Sequence, residues 1–280
     1  MNAVAHQNFI RLPFCRRSRV HGAARYLTLC QMVSSDEVVL VSRHPVEFGH
    51  VAVVTLNRPE ARNAIDAALG AALPAAITAC DADADVRAIV LTGADPAFCA
   101  GFDLRDVGGG KKRGANVHPG YWGPLPPTRV PVIGAVNGAA ITGGFEIALA
   151  CDFLIASERA VFADTHAKVG MVPGWGLTIA LPRLIGTGRA RRLSLTAEKI
   201  DAATARDWGL VTEVVAHENL LARALELATM VAGNHAEAVS EIRRVYDGVA
   251  PLGDSDEAYA HENAAARAWA QKRFAAPGGE

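Results

Sequence analysis

From Glu37 onward the chain alternates between short β-branched runs and longer stretches with helical spacing. Residues 38–41 and 51–56 are apolar runs separated by Pro45 and Gly49, a pattern that predicts a β-hairpin. After Asn57-Arg58-Pro59, an Ala-rich segment over residues 65–80 carries Leu69, Leu73, Ile77 and Cys80 at helical intervals. Pro74 inside it predicts a break or kink, because proline lacks the N–H that a helix interior needs. Residues 88–93, 132–136 and 153–156 read as buried strands, and a helical run over 145–150 follows Gly143. Strand, helix and strand repeated in this order predict an α/β core domain over residues 35–200. The remainder, residues 201–280, reads as a helical subdomain. Asp201 caps a helix that runs to Trp208 and closes on Gly209, and further helices are expected at 220–232, 236–246 and 255–274. Residues 107–127, with three consecutive glycines and four prolines, form a long loop of the kind that is functional or mobile.

Composition narrows the function classes. Half of the 280 residues are hydrophobic and 20% are charged, which supports a sizeable core and excludes a disordered chain. A formal charge of −1 argues against a nucleic-acid binder and against a polybasic membrane-surface protein. The five cysteines (Cys15, Cys30, Cys80, Cys99 and Cys151) have no CxxC spacing, so neither a metal site nor a disulfide framework is expected. A reducing cytoplasm is the expected compartment. The most apolar stretch, residues 131–156, is interrupted by Asn137, Glu146, Asp152 and several glycines, which excludes a membrane span there. Residues 1–34 hold five arginines and no acidic residue, a composition that imitates a transit peptide. They are read as an unstructured leader, or as the product of a start codon upstream of Met32, where the patterned sequence begins.

Two glycine-flanked segments carry the candidate chemistry. One runs from Ala97 to Leu104 after the strand ending near Thr92; the other runs from Asn137 to Glu146 after the strand ending at Val136. Glycines at a helix start let the backbone approach a ligand, and the unpaired N–H groups there favour negative charge. Two such N–H groups aimed at one oxygen would stabilise an enolate-like anion.

In this order and spacing the segments resemble the crotonase family, the enoyl-CoA hydratase/isomerase superfamily. The resemblance runs from about Val38 to the carboxy terminus and includes Thr55-Leu56-Asn57-Arg58-Pro59 with Arg62-Asn63-Ala64, residues 85–93, 131–138, Ala150-Cys151-Asp152, 169–176, 195–200 and 209–215. It implies a crotonase-like ββα superhelix with a helical C-terminal subdomain, packed as a homotrimer or dimer of trimers. It also implies an acyl-CoA thioester substrate, with coenzyme A entering as part of the substrate and no separate cofactor or metal. The family's two oxyanion-hole donors fall on Phe102 and Gly143. Ala100, Asp103 and Leu104 fall where family members line the adenine pocket, and Arg58 and Ala61 lie in the segment near the CoA nucleotide.

Glu146 matches one of the two acidic residues that hydratases of this family use, in the first turn of a helix where the dipole favours its charge. The alternative is a plain helix-capping glutamate. The second acidic position falls on His166, within Asp164-Thr165-His166. A histidine can move a proton near neutral pH or orient water; it can also simply pack and bond to a backbone carbonyl. Asp164 is a candidate partner for it, and Asp152 is read as structural. Tyr121, Trp122 and Trp175 are candidates to line the acyl pocket, or else plain packing. Lys111-Lys112-Arg113 reads as a solvated loop, no Gly-Lys-Ser/Thr ending makes the glycines a phosphate loop, and Cys99 lacks an assigned base. The expected activity is hydration of a 2-trans-enoyl-CoA to the 3-hydroxyacyl-CoA. Double-bond isomerisation, C–C cleavage or thioester hydrolysis run by Glu146 alone, and a catalytically poor acyl-CoA-binding protein, remain as alternatives.

Overall fold

Strands with apolar side chains on both faces form the middle of one sheet. Val51 and Val53 of β2 (Gly49–Leu56), Val90 of β3 (Val86–Gly93), Ile133 of β5 (Val132–Val136) and Ile155 of β7 (Phe153–Ser157) share one buried cluster. Their neighbours Ala52, Val54, Ile89, Leu91, Val132, Leu154 and Ala156 belong to the cluster on the opposite face. The two-residue side-chain period makes this division, and burial on both faces is why these strands read as continuous apolar runs. The computed structural model describes residues 37–103, 105, 121, 123–249 and 256–274. The expected leader over residues 1–34 and most of the expected 107–127 loop, including Trp122, lie outside these, as does Leu104.

The six-stranded sheet has the order β1-β2-β3-β5-β7-β10, with β1 (Val39–Val46) and β10 (Glu213–Val215) at its edges. Only the β1–β2 hairpin is antiparallel; the other pairs are parallel. Pro45 sits inside β1, where an edge strand tolerates the missing donor. A second sheet has the order β4-β6-β8-β9, from β4 (Ala97–Cys99), β6 (Ala139–Ile141), β8 (Val161–Ala163) and β9 (Lys199–Asp201). Each successive turn of chain gives one strand to each sheet: β3 then β4, β5 then β6, β7 then β8. This is the ββα superhelix that the resemblance implied.

Helix α1 (Ala67–Ala82) begins two residues later than the periodicity suggests, because the Asp66 side chain accepts the Leu69 N–H at 2.8 Å and caps it. Pro74 does not end the helix. The buried stripe Leu69, Leu73, Pro74, Ile77 and Cys80 packs into the core and offsets the one lost backbone bond. α2 (Gly143–Leu149) follows β6 directly. Two helices absent from the periodicity reading, α3 (Leu177–Ile185) and α4 (Thr187–Thr196), lie between β8 and β9. Asp201 caps α5 (Ala202–Asp207) by accepting from Thr204 N at 2.8 Å, and Gly209 beyond it takes a φ of 85°, as expected.

The carboxy-terminal helices are tied to the sheets. Leu220, Ala224 and Ala228 of α6 (Leu220–Ala232), four residues apart, bury against the face carrying Val51 and Val90. α7 (Ala236–Val249) is held by Arg243, whose Nε donates to Asp152 Oδ1 at 2.5 Å while Asp152 Oδ2 accepts from Val132 N at 2.7 Å. α8 (Asp256–Phe274) packs on α7. Among the described residues no helix is long and apolar enough to cross a membrane.

The superhelix brings backbones into close contact at glycines. A Cβ on Gly144 would lie 2.1 Å from the Cys99 carbonyl oxygen, whereas one on Gly188 in α4 would meet nothing within 4 Å. Gly144→Ala therefore costs about 1–3 kcal/mol by overpacking. Gly188→Ala gains about 0.4–1 kcal/mol by restricting the unfolded chain. Chemical denaturation midpoints of the two variants, moving in opposite directions, check this.

Candidate active site

The segment from Ala100 to Asp103 is positioned by a buried polar loop upstream of α1. Asn63 is fully buried; its Oδ1 accepts from Arg58 N at 2.8 Å, and its Nδ2 donates to the carbonyls of Ala94 and Ala97, both at 2.7 Å. Ala100 N donates to Arg62 O at 3.0 Å, Ile65 N to Gly101 O at 2.7 Å, and Asp103 N to Ile65 O at 2.9 Å. In a parallel pairing of this kind the flanking residues bond to Ile65, so Phe102 turns its own N–H away from Ile65.

Arg58 serves this same scaffold. Its guanidinium bonds to the Ala64 carbonyl and lies 3.1 Å from Asp66 and 3.4 Å from Asp103. Asp103 is nearly buried. The Arg105 side chain, at 3.0 Å from each carboxylate oxygen, is the main reason its carboxyl is held down to about 2, with Arg58 adding to it. Ala61 ends a short 3-10 turn (Pro59–Ala61), and Ala100 is half-buried at the end of β4.

The second segment meets the first at glycines. A Cβ on Gly101, whose φ is 89°, would lie 3.6 Å from Gly143 N, and one on Gly143 would lie 3.0 Å from the Phe102 ring. The two predicted donor residues are thus neighbours. Gly143 N belongs to the first turn of α2, where N–H groups have no intrahelical acceptor. Thr142, immediately before it, has φ 55° and ψ −111°, a conformation that strains a β-branched residue. It is over-determined by its surroundings: Thr142 N donates to Ala163 O at 2.9 Å, its hydroxyl lies 2.5 Å from that of Thr165, and Thr165 N donates to it at 3.2 Å. No pattern in the sequence pointed to this clamp, because its partners lie 23 residues apart and are ordinary threonines.

Glu146 and His166 come together. Glu146 is 2% exposed; its Oε1 accepts from Trp175 N at 2.8 Å, and its Oε2 lies 3.8 Å from His166 Nε2. On the other side of the imidazole, Nδ1 lies 2.6 Å from Asp164 Oδ1, which also accepts from His166 N at 3.1 Å. The chain leaves β8 after Ala163, and His166 has helical backbone angles, so this turn swings the ring back onto Asp164. An extended strand over 164–166 would only have put the two side chains on one face.

Burial pushes the Glu146 carboxyl above the usual range, opposed by the Trp175 N–H and by the charge that His166 would carry. Burial acts in the same sense on Asp164, but the bonds from the His166 ring and backbone oppose it, and that carboxyl is held below its ordinary value. Cys99 is pushed up to about 12 by burial, which leaves it an inert thiol.

A cleft of about 550 Å³ opens beside Glu146, bordered by Tyr121, Leu125, Leu149, Trp175 and, further along, Arg243. The Trp175 and Phe102 rings are 4.9 Å apart, so the segment carrying Phe102 and the cleft wall are in contact. The structure therefore gathers Glu146, His166, Phe102, Gly143, Tyr121 and Trp175 around one region. It engages Arg58 and Asp103 with each other.

Comparison with known proteins finds the same family by sequence and by structure. The family model described as enoyl-CoA hydratase/isomerase matches residues 47–265. A probable peroxisomal enoyl-CoA hydratase of Arabidopsis thaliana is 38% identical over 214 residues, covering 75% of this chain and 79% of that one. A carnitinyl-CoA dehydratase of Salmonella typhi is 36% identical over 211 residues, covering 73% and 80%. Among solved structures, the enoyl-CoA hydratase of Mycobacterium tuberculosis H37Rv is 43% identical with a TM-score of 0.69, covering 82% of this chain and 98% of that one.

The raised Glu146 carboxyl fixes a sign for stability. Its contribution is complete below the unfolded-state value of about 4.3 and is lost as pH rises through the higher folded value. Glu146→Gln keeps the shape and the Trp175 bond without the buried charge. At pH 7 its melting temperature should exceed that of the wild type, and the gap should close towards pH 4. Thermal unfolding of both proteins between pH 4 and pH 8 checks this.

Proposed function

The chain belongs to the enoyl-CoA hydratase/isomerase family, and we propose that it hydrates a 2-trans-enoyl-CoA to the 3-hydroxyacyl-CoA. The observation that carries this reading is the Glu146–His166 pair. At 3.8 Å, Oε2 and Nε2 are too far apart for a good hydrogen bond but near enough that one oxygen can lie about 2.8 Å from both. A water held there donates one hydrogen to each and turns a lone pair towards the substrate.

In this scheme the thioester oxygen accepts from the N–H groups of Phe102 and Gly143. The water oxygen bonds to C3 as Glu146 takes its proton, the C2=C3 π electrons move towards the thioester oxygen, and the anion that forms is stabilised by the two donors. C2 then takes a proton from Glu146, which restores the carboxylate. Water is consumed, one C–O and one C–H bond form, and the site ends as it began. Protons and electrons balance among water, thioester and side chains, so the scheme calls for coenzyme A as part of the substrate and for no further cofactor.

The acyl chain is assigned to the cleft beside Trp175 and Leu149, whose apolar walls suit it. The proposal extends to a homo-oligomer in the cytoplasm. Exposed Ile242 and Tyr246 on α7 support the first, and the free thiols of Cys80, Cys99 and Cys151 support the second.

The test is turnover of crotonyl-CoA and a longer 2-enoyl-CoA, followed as loss of enoyl absorbance in ¹⁸O-labelled water. The wild type should place the label at C3. Glu146→Gln should lower kcat by about 10²–10⁴-fold, and His166→Ala by a comparable factor, since each removes a hydrogen-bond acceptor for the water. Product without label would replace hydration by isomerisation through Glu146 alone. Binding without turnover would leave an acyl-CoA-binding protein.

A further inference from the structure

Asp164 has no contact with the cleft, yet it is fully buried and directed at the far side of the imidazole that faces Glu146. We propose that Asp164 is a positioning residue that locks His166 in the tautomer carrying its proton on Nδ1, so that Nε2 presents a lone pair to the reacting water. The inference rests on the hydratase reading for its purpose, but its geometry stands alone.

An ionised carboxylate can only accept, so a contact of 2.6 Å between Asp164 Oδ1 and His166 Nδ1 requires the hydrogen on Nδ1. The neutral ring then has its other nitrogen bare. That nitrogen is the one 3.8 Å from Glu146 Oε2. Asp164 Oδ1 is fixed from two directions, by the His166 backbone N–H at 3.1 Å and by the ring, while Oδ2 is buried with no hydrogen-bond partner among the described residues. At 3% exposure, His166 has little solvent to supply a competing acceptor for Nδ1–H.

The tautomer decides what the shared water can do. With a lone pair on Nε2, both water hydrogens are taken up, one by Glu146 and one by His166, and an oxygen lone pair points outward at C3. With the hydrogen on Nε2 instead, the water accepts from the ring and its lone pair is turned inward. One replacement within a carboxylate pair thus depends on a second acidic residue two positions earlier. The histidine supplies the acceptor, and Asp164 makes it one.

¹⁵N NMR of histidine-labelled wild-type protein, with the His166 ring signals assigned by their loss in His166→Gln, reads the tautomer without substrate. The expected spectrum at neutral pH has a protonated Nδ1 in a strong hydrogen bond and an unprotonated Nε2. Asp164→Ala should abolish the Nδ1–H signal and lower kcat by about 10²–10⁴-fold, the contribution typical of a positioned acid–base group, while KM stays within about threefold. A wild-type ring protonated on Nε2, singly or on both nitrogens, overturns the proposal, and so does an Asp164→Ala enzyme with kcat within threefold of wild type. If Asp164→Ala does not fold, the wild-type spectrum decides alone. An Nδ1–H ring in a wild-type protein that hydrates no enoyl-CoA upholds the lock and overturns the hydratase reading instead.

Discussion

The close approach of β4 to the start of α2 is the constraint on which the rest of the site depends. The Cys99 carbonyl occupies the space that any side chain on Gly144 would need, and the Pro96 carbonyl does the same at Gly138, 2.4 Å from where a Cβ would sit. Because these backbones touch, Phe102 and Gly143 become neighbours although 41 positions separate them. The same contact aims the first turn of α2, and with it Glu146, at the region between Trp175 and His166. Phe145, the residue before Glu146, packs 5.6 Å from Phe162 of β8, so the strand that leads to Asp164 and His166 is registered against the same helix. Packing in the two-sheet superhelix thus sets the distances on which the proposed proton transfer depends.

Around that contact the protein buries several polar groups and satisfies them in full networks. Asn63 bonds to three backbone positions, Arg58 bridges two carboxylates and a carbonyl, and Asp152 joins the start of β5 to Arg243 of α7. Such networks specify one arrangement strongly, because a half-satisfied version leaves a buried polar group unpaired. They explain how loops rather than regular elements hold the segment from Ala100 to Asp103 in place. Thr142 carries the opposite kind of cost: its backbone is strained, and the Thr165 hydroxyl and Ala163 carbonyl hold it there.

Much of this was legible in the chain. Continuous apolar runs marked β3, β5 and β7 because burial on both faces demands them, and Asp201 and Gly209 bounded α5 through ordinary capping chemistry. The ordered glycine segments, with the resemblance they carry, brought out Glu146, His166, Phe102 and Gly143. Other features left no local trace. The three-residue strands β4, β6 and β8 are too short for a period to show, and they exist because neighbours from the next turn of the superhelix pair with them. α1 persists through Pro74 because tertiary burial overrides local propensity. The Asn63 hub and the threonine clamp join residues far apart in sequence. Asp164 was visible as a neighbour of His166, but only the turn after β8 shows how a spacing of two becomes a side-chain contact of 2.6 Å.

In the proposed hydration one water, clasped by Glu146 and His166, faces a thioester whose oxygen is held by Phe102 and Gly143. A crystal structure with a bound, unreactive 3-oxoacyl-CoA would show whether this arrangement forms. The thioester oxygen should lie about 2.7–3.1 Å from both backbone nitrogens, the acyl chain in the cleft beside Trp175, and C3 within reach of both Glu146 Oε2 and His166 Nε2. A thioester oxygen away from the Phe102 and Gly143 N–H groups, or a C3 remote from Glu146, would contradict it.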